Sequence, residues 1–229
     1  MQKPEFPADE GQRLQALRAL EVLDTLPEER YDRLTRIARQ MFKISITLVS
    51  LVDAERQWFK SRQGWETTET PRDISFCGHA ILENRIFYVS DATQDPRFAD
   101  NPLVVGAPNI RLYAGAPLST ADGHRVGALC IIDSQPRCLT AEELQALRDL
   151  ADCVEVELQQ AHIHQAADML RHWESYLYTV LNTVIDGVVT IDERGIIQSF
   201  NRAAEHIFNY TAPEVIGNNV NILMPEPYC

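Results

Sequence analysis

Hydrophobic residues in the first forty positions follow two helical patterns. Leucines recur three residues apart at positions 14, 17, 20 and 23, which predicts an amphipathic helix over residues 9–26. Pro27 and the two glutamates after it are typical of a second helix start, because proline and acidic side chains are favoured in the first turn. The buried stripe of this second helix is predicted at Tyr31, Leu34, Ile37, Ala38 and Met41.

Residues 44–133 favour an antiparallel sheet. β-Branched residues dominate positions 44–53, which predicts a strand, and residues 57–62 are interpreted as the returning strand of a hairpin. Ser75 can cap a short helix over residues 76–83. Further strands are predicted at 86–90, 111–118 and 126–133. Strands with helices at both ends indicate an α+β domain, in which the long irregular stretch 91–109 is interpreted as a functional loop or a cover.

A helical pattern without proline or glycine extends from Thr140 to about residue 183, beginning with a predicted capping box of Thr140 and Glu143. Its apolar residues follow a heptad-like spacing with one four-residue stutter. We expect this seam to hold two copies of the chain in a homodimer. An alternative is that the first half of the helix packs on the chain's own sheet, and both can hold for different faces. The predicted seam consists of Leu147, Val154, Leu158, Met169, Trp173 and Val180.

Composition excludes several classes of function. The net charge is −12, and only 3 of the 21 basic residues are lysine, so we expect no nucleic-acid partner. No apolar run approaches the roughly 18 residues of a membrane span, and the first residues lack the pattern of a secretory signal, so we expect no membrane insertion. The five cysteines show no CxxC spacing, which favours reduced thiols in the cytoplasm and neither a disulfide framework nor a metal site.

Several ordered motifs resemble bacterial GAF domains over about residues 10–160. They are QWFKS at 57–61, ETPRDISFCGHAI at 69–81, the stretch 91–101, IRLYAGAP at 110–117 and GALCIID at 127–133. The resemblance implies a sensor fold with a central antiparallel sheet, helices on one face, and a small-molecule pocket under loops on the other. The implied pocket residues are Trp58, Phe76, Cys77, His79, Asp91, Phe98, Arg111 and Tyr113. The alternative is that the aromatic residues are core and the charged residues cap loops.

The last part of the chain resembles the N-terminal half of a PAS domain. The motifs are DGVVTID at 186–192, GIIQSFN at 195–201, AEHIFNY at 204–210, EVIGNNV at 214–220 and LMPEP at 223–227. The last motif is similar to that of haem-PAS oxygen sensors and their non-haem relatives. Haem-binding relatives take their axial histidine from a later helix, so His206 does not inherit that role. Cysteines that attach bilin in GAF domains stand in different surroundings. We therefore expect neither haem nor bilin, and the identity of any cofactor stays open.

These observations predict four segments. Residues 1–26 form a helix packed on the GAF domain, 27–160 the GAF domain, 161–183 a coiled-coil-like connector and 184–229 a truncated PAS domain. The resemblance implies a sensory module of a bacterial cytoplasmic signalling protein, whose output is a diguanylate cyclase or a histidine kinase. No motif of such an output is present, so we expect no catalysis from these residues. The alternatives are a thiol-based GAF enzyme of the sulfoxide reductase type using Cys77 and Cys130, and a ligand-free dimerisation module.

Overall fold

The computed structural model describes residues 1–160 and 186–224, and the chain divides into two compact units, Met1–His164 and Gln165–Cys229. The first unit is built on a six-stranded antiparallel sheet. Its strands are β1 (Ile46–Val52), β2 (Arg56–Gln63), β3 (Glu69–Pro71), β4 (Phe87–Val89), β5 (Leu112–Ser119) and β6 (Arg125–Asp133). They lie in the order β3-β2-β1-β6-β5-β4, so β6 lies between β1 and β5. The predicted α+β class is confirmed.

Helices cover the two faces of this sheet unequally. The helices of the first unit are α1 (Glu10–Ala19), α2 (Glu29–Phe42), α3 (Phe76–Ala80), α4 (Pro102–Val105) and α5, which covers residues 141–160. One face carries α1, α2 and α5 over an apolar core that includes Leu17, Ala38 and Leu129. The other face carries α3, α4 and the long loops, over a second core. The sheet thus separates a helical layer from a loop-rich layer.

The first two helices differ from their predicted patterns. The helix predicted over residues 9–26 ends at Ala19, because the chain turns through left-handed conformations at Glu21 and Asp24. In α2, Ile37 and Met41 are 39% and 55% exposed rather than buried. The buried stripe passes instead through Thr35, whose hydroxyl lies 2.8 Å from the hydroxyl of Ser61 on β2. The buried face of α2 therefore includes a polar contact with the sheet in addition to its apolar residues.

The start of α5 agrees with the sequence pattern, but its packing changes the role of three predicted seam residues. The Thr140 amide donates to Glu143 Oε2 at 2.8 Å, and the Glu143 amide donates to Thr140 Oγ1 at 3.1 Å, which confirms the capping box. Leu147, Val154 and Leu158 are buried in the chain's own core, at 0%, 0% and 2% exposure. They are therefore not available as a seam with a second copy. The other three predicted seam residues, Met169, Trp173 and Val180, lie outside the described residues.

The second unit contains a hairpin and two short helices. Strands β7 (Val189–Ile191) and β8 (Ile197–Phe200) are followed by α6 (Arg202–Phe208), α7 (Ala212–Val215) and a 3₁₀ turn at Val220–Leu223. The Asn201 carboxamide accepts hydrogen bonds from the amides of Val188 and Ala204, at 2.8 and 2.9 Å, and so ties the start of α6 to the hairpin. Ile197, Phe200, Ala204 and Val215 form its small core. In both units, none of the described helices has the length and apolarity needed to cross a membrane.

Candidate functional site

An aromatic cluster fills the loop-rich face of the first unit. The ring of Phe76 stacks on Phe98 at 4.1 Å and on Tyr113 at 5.0 Å between centroids. His79 meets the same cluster through an edge-to-face contact with Phe98 at 5.0 Å. Phe87 closes the cluster at 5.9 Å from both Phe98 and Tyr113. Four of the eight predicted pocket residues thus lie in one cluster, and Cys77 lies beneath it in the same core.

The short helix α3 positions this cluster. Ser75 caps it as predicted: its hydroxyl accepts from the Gly78 amide at 2.8 Å and contacts the Gln57 side chain on β2. Because this cap holds the first turn against the sheet, Phe76 and Cys77 point into the core. His79, two residues further along, lies at the outer end of the helix and is 8% exposed.

A cavity of about 330 Å³ opens beside α3. It is lined by His79, Ala80, Leu82, Glu83, Arg85, Ile86, Phe87, Tyr88 and Arg97. The Arg97 guanidinium lies 4.9 Å from the centroid of the Phe87 ring, within cation–π range. Asp95 holds that guanidinium through two hydrogen bonds of 2.9 and 2.6 Å, so the side chain is fixed over the ring. The cavity wall therefore combines aromatic faces with an oriented cation.

Residues 2–6, here called the N-terminal strap, cross the outer side of α3. The Gln2 amide donates to the Arg97 carbonyl at 2.9 Å, and the Gln2 carbonyl lies 3.2 Å from His79 Nε2. Lys3 forms an ion pair with Asp73, and the Phe6 ring lies 4.4 Å from the Arg72 guanidinium. The strap therefore joins α3 to the loop that carries Arg97.

His79 is held as a neutral imidazole. Burial lowers its pKa below the ordinary value of 6.5, and the nearby Arg97 acts in the same direction, against the hydrogen bond to Gln2. A carbonyl oxygen only accepts hydrogen bonds, so Nε2 carries the proton and donates to Gln2. This leaves Nδ1 as an acceptor at neutral pH.

Two thiols meet beneath the aromatic cluster. Cys77 Sγ on α3 and Cys130 Sγ on β6 are 3.8 Å apart, and the Tyr113 hydroxyl donates to Cys77 Sγ at 3.2 Å. Both cysteines are buried, at 1% and 0% exposure. The pKa of Cys77 is lowered by hydrogen bonding with Cys130, against the effect of burial and with help from Ser50 and Tyr113. The same contact with Cys77, together with burial, raises the pKa of Cys130 well above its usual value.

The remaining predicted pocket residues lie elsewhere. Trp58 belongs to the core on the helical face of the sheet, opposite the cluster. The Asp91 carboxylate accepts from the amide and hydroxyl of Thr93, at 3.0 and 2.7 Å, and so caps a loop. Arg111 donates to the carbonyls of Val104 and Ile110, both at 3.0 Å, and stabilises the loop before β5.

Sequence patterns did not predict Phe87, Arg97 or the N-terminal strap as parts of the site. Phe87 lies outside the quoted motifs, and Arg97 lies within the motif stretch 91–101 but was not among the implied pocket residues. No cluster of three or more potential metal ligands among His, Cys, Asp and Glu occurs in residues 1–160 and 186–224.

The match to known families follows the two units. Residues 26–158, more than half of the chain, match the model of the GAF domain. The chain therefore belongs to the GAF domain family. Residues 175–228 match the model of the PAS fold, so the GAF domain is followed by a PAS region.

Two characterised bacterial proteins resemble parts of the chain. A cyclic di-GMP phosphodiesterase of Pseudomonas aeruginosa is 45% identical over 142 residues, which cover 62% of this chain and 24% of that protein. The sensor protein FixL of Bradyrhizobium diazoefficiens is 49% identical over 63 residues, covering 28% of this chain and 12% of FixL. The matched residues thus span about a quarter or less of either relative. GAF and PAS domains of this kind are sensory domains of bacterial signalling proteins.

Solved structures share the GAF fold. A domain of a two-component sensor histidine kinase protein from Sinorhizobium meliloti matches with a TM-score of 0.50 and 15% identity, over 62% of this chain and 97% of that one. The GAF domain of PixJ from Thermosynechococcus elongatus, in its blue-light absorbing form, matches with a TM-score of 0.50 and 17% identity, over 69% and 96%. At these identities the likeness shows the fold alone.

Proposed function

We propose that this chain is the sensory region of a bacterial signalling protein and that its GAF domain binds a small organic molecule beside α3. The observation that carries this proposal is the cavity of about 330 Å³ between α3, the loop after it and Arg97. Ligand sites in proteins combine apolar and aromatic walls with a few oriented polar groups. The Phe87 ring, the neutral His79 and the Arg97 guanidinium supply these elements.

The chemistry of the walls favours a ligand with a planar ring and an acidic group. The Phe87 face and the His79 ring, 5.9 Å apart between centroids, offer stacking surfaces. The guanidinium groups of Arg97 and Arg85 line the same cavity, paired with Asp95 and Glu83, and their remaining N–H groups can donate to a carboxylate or phosphate. The volume lies at the small end of the usual range of roughly 300–1,000 Å³, which favours a single-ring metabolite over a tetrapyrrole.

The proposed signal leaves the GAF domain through α5. This helix is packed on the sheet by Leu147, Val154 and Leu158, and residues 161–185 continue the chain towards the PAS region. In this proposal two copies pair through the connector and pass the change to PAS and to an output domain. The phosphodiesterase relative supports an output in cyclic di-GMP turnover. The resemblance to GAF–PAS sensors supports a histidine kinase as the other option.

Thermal unfolding against a ligand panel tests the binding step. The panel contains cyclic nucleotides, aromatic and acidic amino acids, and tetrapyrroles. A ligand that binds only the folded state at about 100 times its Kd raises the free energy of unfolding by roughly 2.7 kcal/mol. We expect at least one single-ring acidic compound to raise the Tm of the wild type and to lose most of this effect in Arg97→Gln.

The matched control is Arg36→Gln, which removes an exposed guanidinium from α2 and its pair with Glu29. This variant should respond to the ligand as the wild type does. If no compound of the panel raises the Tm, or if Arg97→Gln binds as tightly as the wild type, the proposed site is wrong. If no compound raises the Tm and the chain is a dimer, the alternative of a ligand-free dimerisation module is favoured.

A further inference from the structure

A second site lies under the aromatic cluster, at the contact of Cys77 with Cys130. The two residues are 53 positions apart in sequence, and the fold brings their sulfur atoms to 3.8 Å. A disulfide requires about 2.05 Å, so roughly 2 Å of approach separates this contact from a covalent bond. Within residues 1–160 the other two cysteines, Cys138 and Cys153, are exposed free thiols. The buried pair is thus positioned differently from the surface thiols.

The surroundings of the two sulfur atoms are unequal. Tyr113 donates its hydroxyl hydrogen to Cys77 Sγ at 3.2 Å, and such a donor stabilises a thiolate. The Ser50 hydroxyl on β1 is buried and has no hydrogen-bond partner of normal geometry, although it is close enough to Cys77 to lower the pKa of that thiol. The pKa of the Cys130 thiol is instead raised, by its contact with Cys77 and by burial. Cys77 is therefore the better nucleophile, and Cys130 is the thiol that keeps its proton.

We propose that Cys77 and Cys130 form a redox-modification site that a small hydroperoxide converts into a reversible disulfide. The Cys77 thiol gives up its proton and the thiolate attacks the peroxide, so that a sulfur–oxygen bond forms and the oxygen–oxygen bond breaks. The leaving oxygen takes up the proton released by Cys77 and departs as water or an alcohol. The sulfur of Cys130 then attacks the resulting sulfenic acid, and the disulfide forms with loss of water. The two thiols supply the two electrons that reduce the peroxide. This modification is independent of the ligand proposed for the cavity.

In this proposal a peroxide reaches the buried thiols past α3, the helix that carries Cys77. Cys77 is followed in the same short helix by His79 and Ala80, which line the cavity, and the N-terminal strap crosses the outer side of the helix. The proposal requires α3 to open far enough to admit a molecule the size of hydrogen peroxide. A substrate the size of a sulfoxide-bearing amino acid needs much more room, and neither sulfur lines the cavity beside α3. The geometry therefore favours oxidation of the protein itself over turnover of such a substrate.

Mass spectrometry of the oxidised full chain tests this proposal. The reduced protein is treated with hydrogen peroxide, its remaining thiols are alkylated in denaturant, and it is digested. We expect a linked peptide that joins Cys77 to Cys130 to become the main form of both, and to revert with dithiothreitol. The Cys130→Ser variant should accumulate sulfenic acid at Cys77, trapped by dimedone. Cys77→Ser should give no trapped sulfenic acid at Cys130.

Matched variants separate this site from the surface thiols. Cys153→Ser should keep the linked peptide, and Tyr113→Phe should slow its formation several-fold because the hydrogen bond to the Cys77 thiolate is lost. The proposal is overturned if Cys77 and Cys130 remain free thiols in the wild type after Cys138 and Cys153 are fully oxidised. If dimedone traps sulfenic acid at Cys130 and not at Cys77, the assignment of Cys77 as the nucleophile is wrong. The wild-type measurement does not depend on the folding of any variant.

Discussion

The ring of Pro4 lies against Gly78 so closely that a Cβ at position 78 would meet Pro4 Cγ at 2.7 Å. The Gly78→Ala change should therefore displace the N-terminal strap from α3. We expect faster amide hydrogen exchange at residues 2–6 and faster cleavage there in limited proteolysis. The sheet should keep its protection, because α3 remains capped by Ser75.

Gly11 provides a matched control for this change. It lies in α1, and a Cβ at position 11 would have no atom within 4 Å. Gly11→Ala should raise the free energy of unfolding by about 0.5–1 kcal/mol, since alanine is the better helix former. Equal exchange at the strap in both variants would show that the strap does not depend on contact with Gly78.

The carboxylate of Glu10 should make stability depend on acid pH. Burial raises its pKa, but hydrogen bonds from Arg13 and Arg72 outweigh this and hold the pKa at about 2, against an ordinary value of 4.5. A lowered pKa contributes stability above pH 4.5 that is lost as the pH falls towards 2. With 18% of the side chain exposed, Glu10→Gln should cost about 2 kcal/mol at pH 7 after allowance for solvent screening.

Denaturant unfolding at several pH values checks this prediction. The difference between the wild type and Glu10→Gln should be full at pH 7 and shrink below pH 4.5. Glu29→Gln is the control, because Glu29 pairs with Arg36 at the surface and is 71% exposed. A difference between the wild type and Glu10→Gln that stays constant down to pH 2 would be inconsistent with the network of Glu10, Arg13 and Arg72.

The ammonium group of Lys60 should stabilise the link between α1 and α2. Its side chain is 0% exposed and pairs with Glu28 at 2.5 Å. It also donates to Thr25 Oγ1 at 2.6 Å and to the Leu26 carbonyl at 2.9 Å. Lys60→Met removes these charged hydrogen bonds and should lower the free energy of unfolding by roughly 1.5–3 kcal/mol.

Lys43→Met is the matched control for this lysine. Lys43 is exposed at the end of α2, so the change should stay within about 0.5 kcal/mol of the wild type. Urea unfolding of both variants under the same conditions decides between the two lysines. A similar cost in both would mean that the contacts of Lys60 add nothing to stability.

The connector should hold a homodimer through the predicted seam residues Met169 and Trp173. Sedimentation at tens of micromolar should show a dimer for the wild type and a monomer for the pair of changes Met169→Glu and Trp173→Glu, because buried charges oppose a coiled-coil seam. Glu142→Gln, on an exposed part of α5, should leave the dimer intact. A monomeric wild type would remove the connector from the proposed relay.

Local patterns were sufficient to predict most of the sheet, the Ser75 cap and the Thr140 capping box. They could not assign Trp58 to a face. Trp58 and Phe59 are adjacent on β2, so they point to opposite faces, and a bulge on β2, where Val49 and Ser50 pair with Ser61 and Phe59, interrupts the alternation of that strand. Residues 2–6 carry no hydrophobic period, so their position over α3 was not predictable. Contacts such as Cys77 with Cys130 depend on the tertiary fold alone.

Strand β6 joins the loop-rich layer and the helical layer of the GAF domain within a single pleat. Cys130 points towards α3, while its neighbours Leu129 and Ile131 pack in the layer that contains Leu147 and Val154 of α5. Neighbouring residues of one extended segment thus share a backbone between the two layers. A displacement of this segment in the loop-rich layer therefore also displaces the residues that pack against α5. No chain of intermediate residues is needed to connect the two layers.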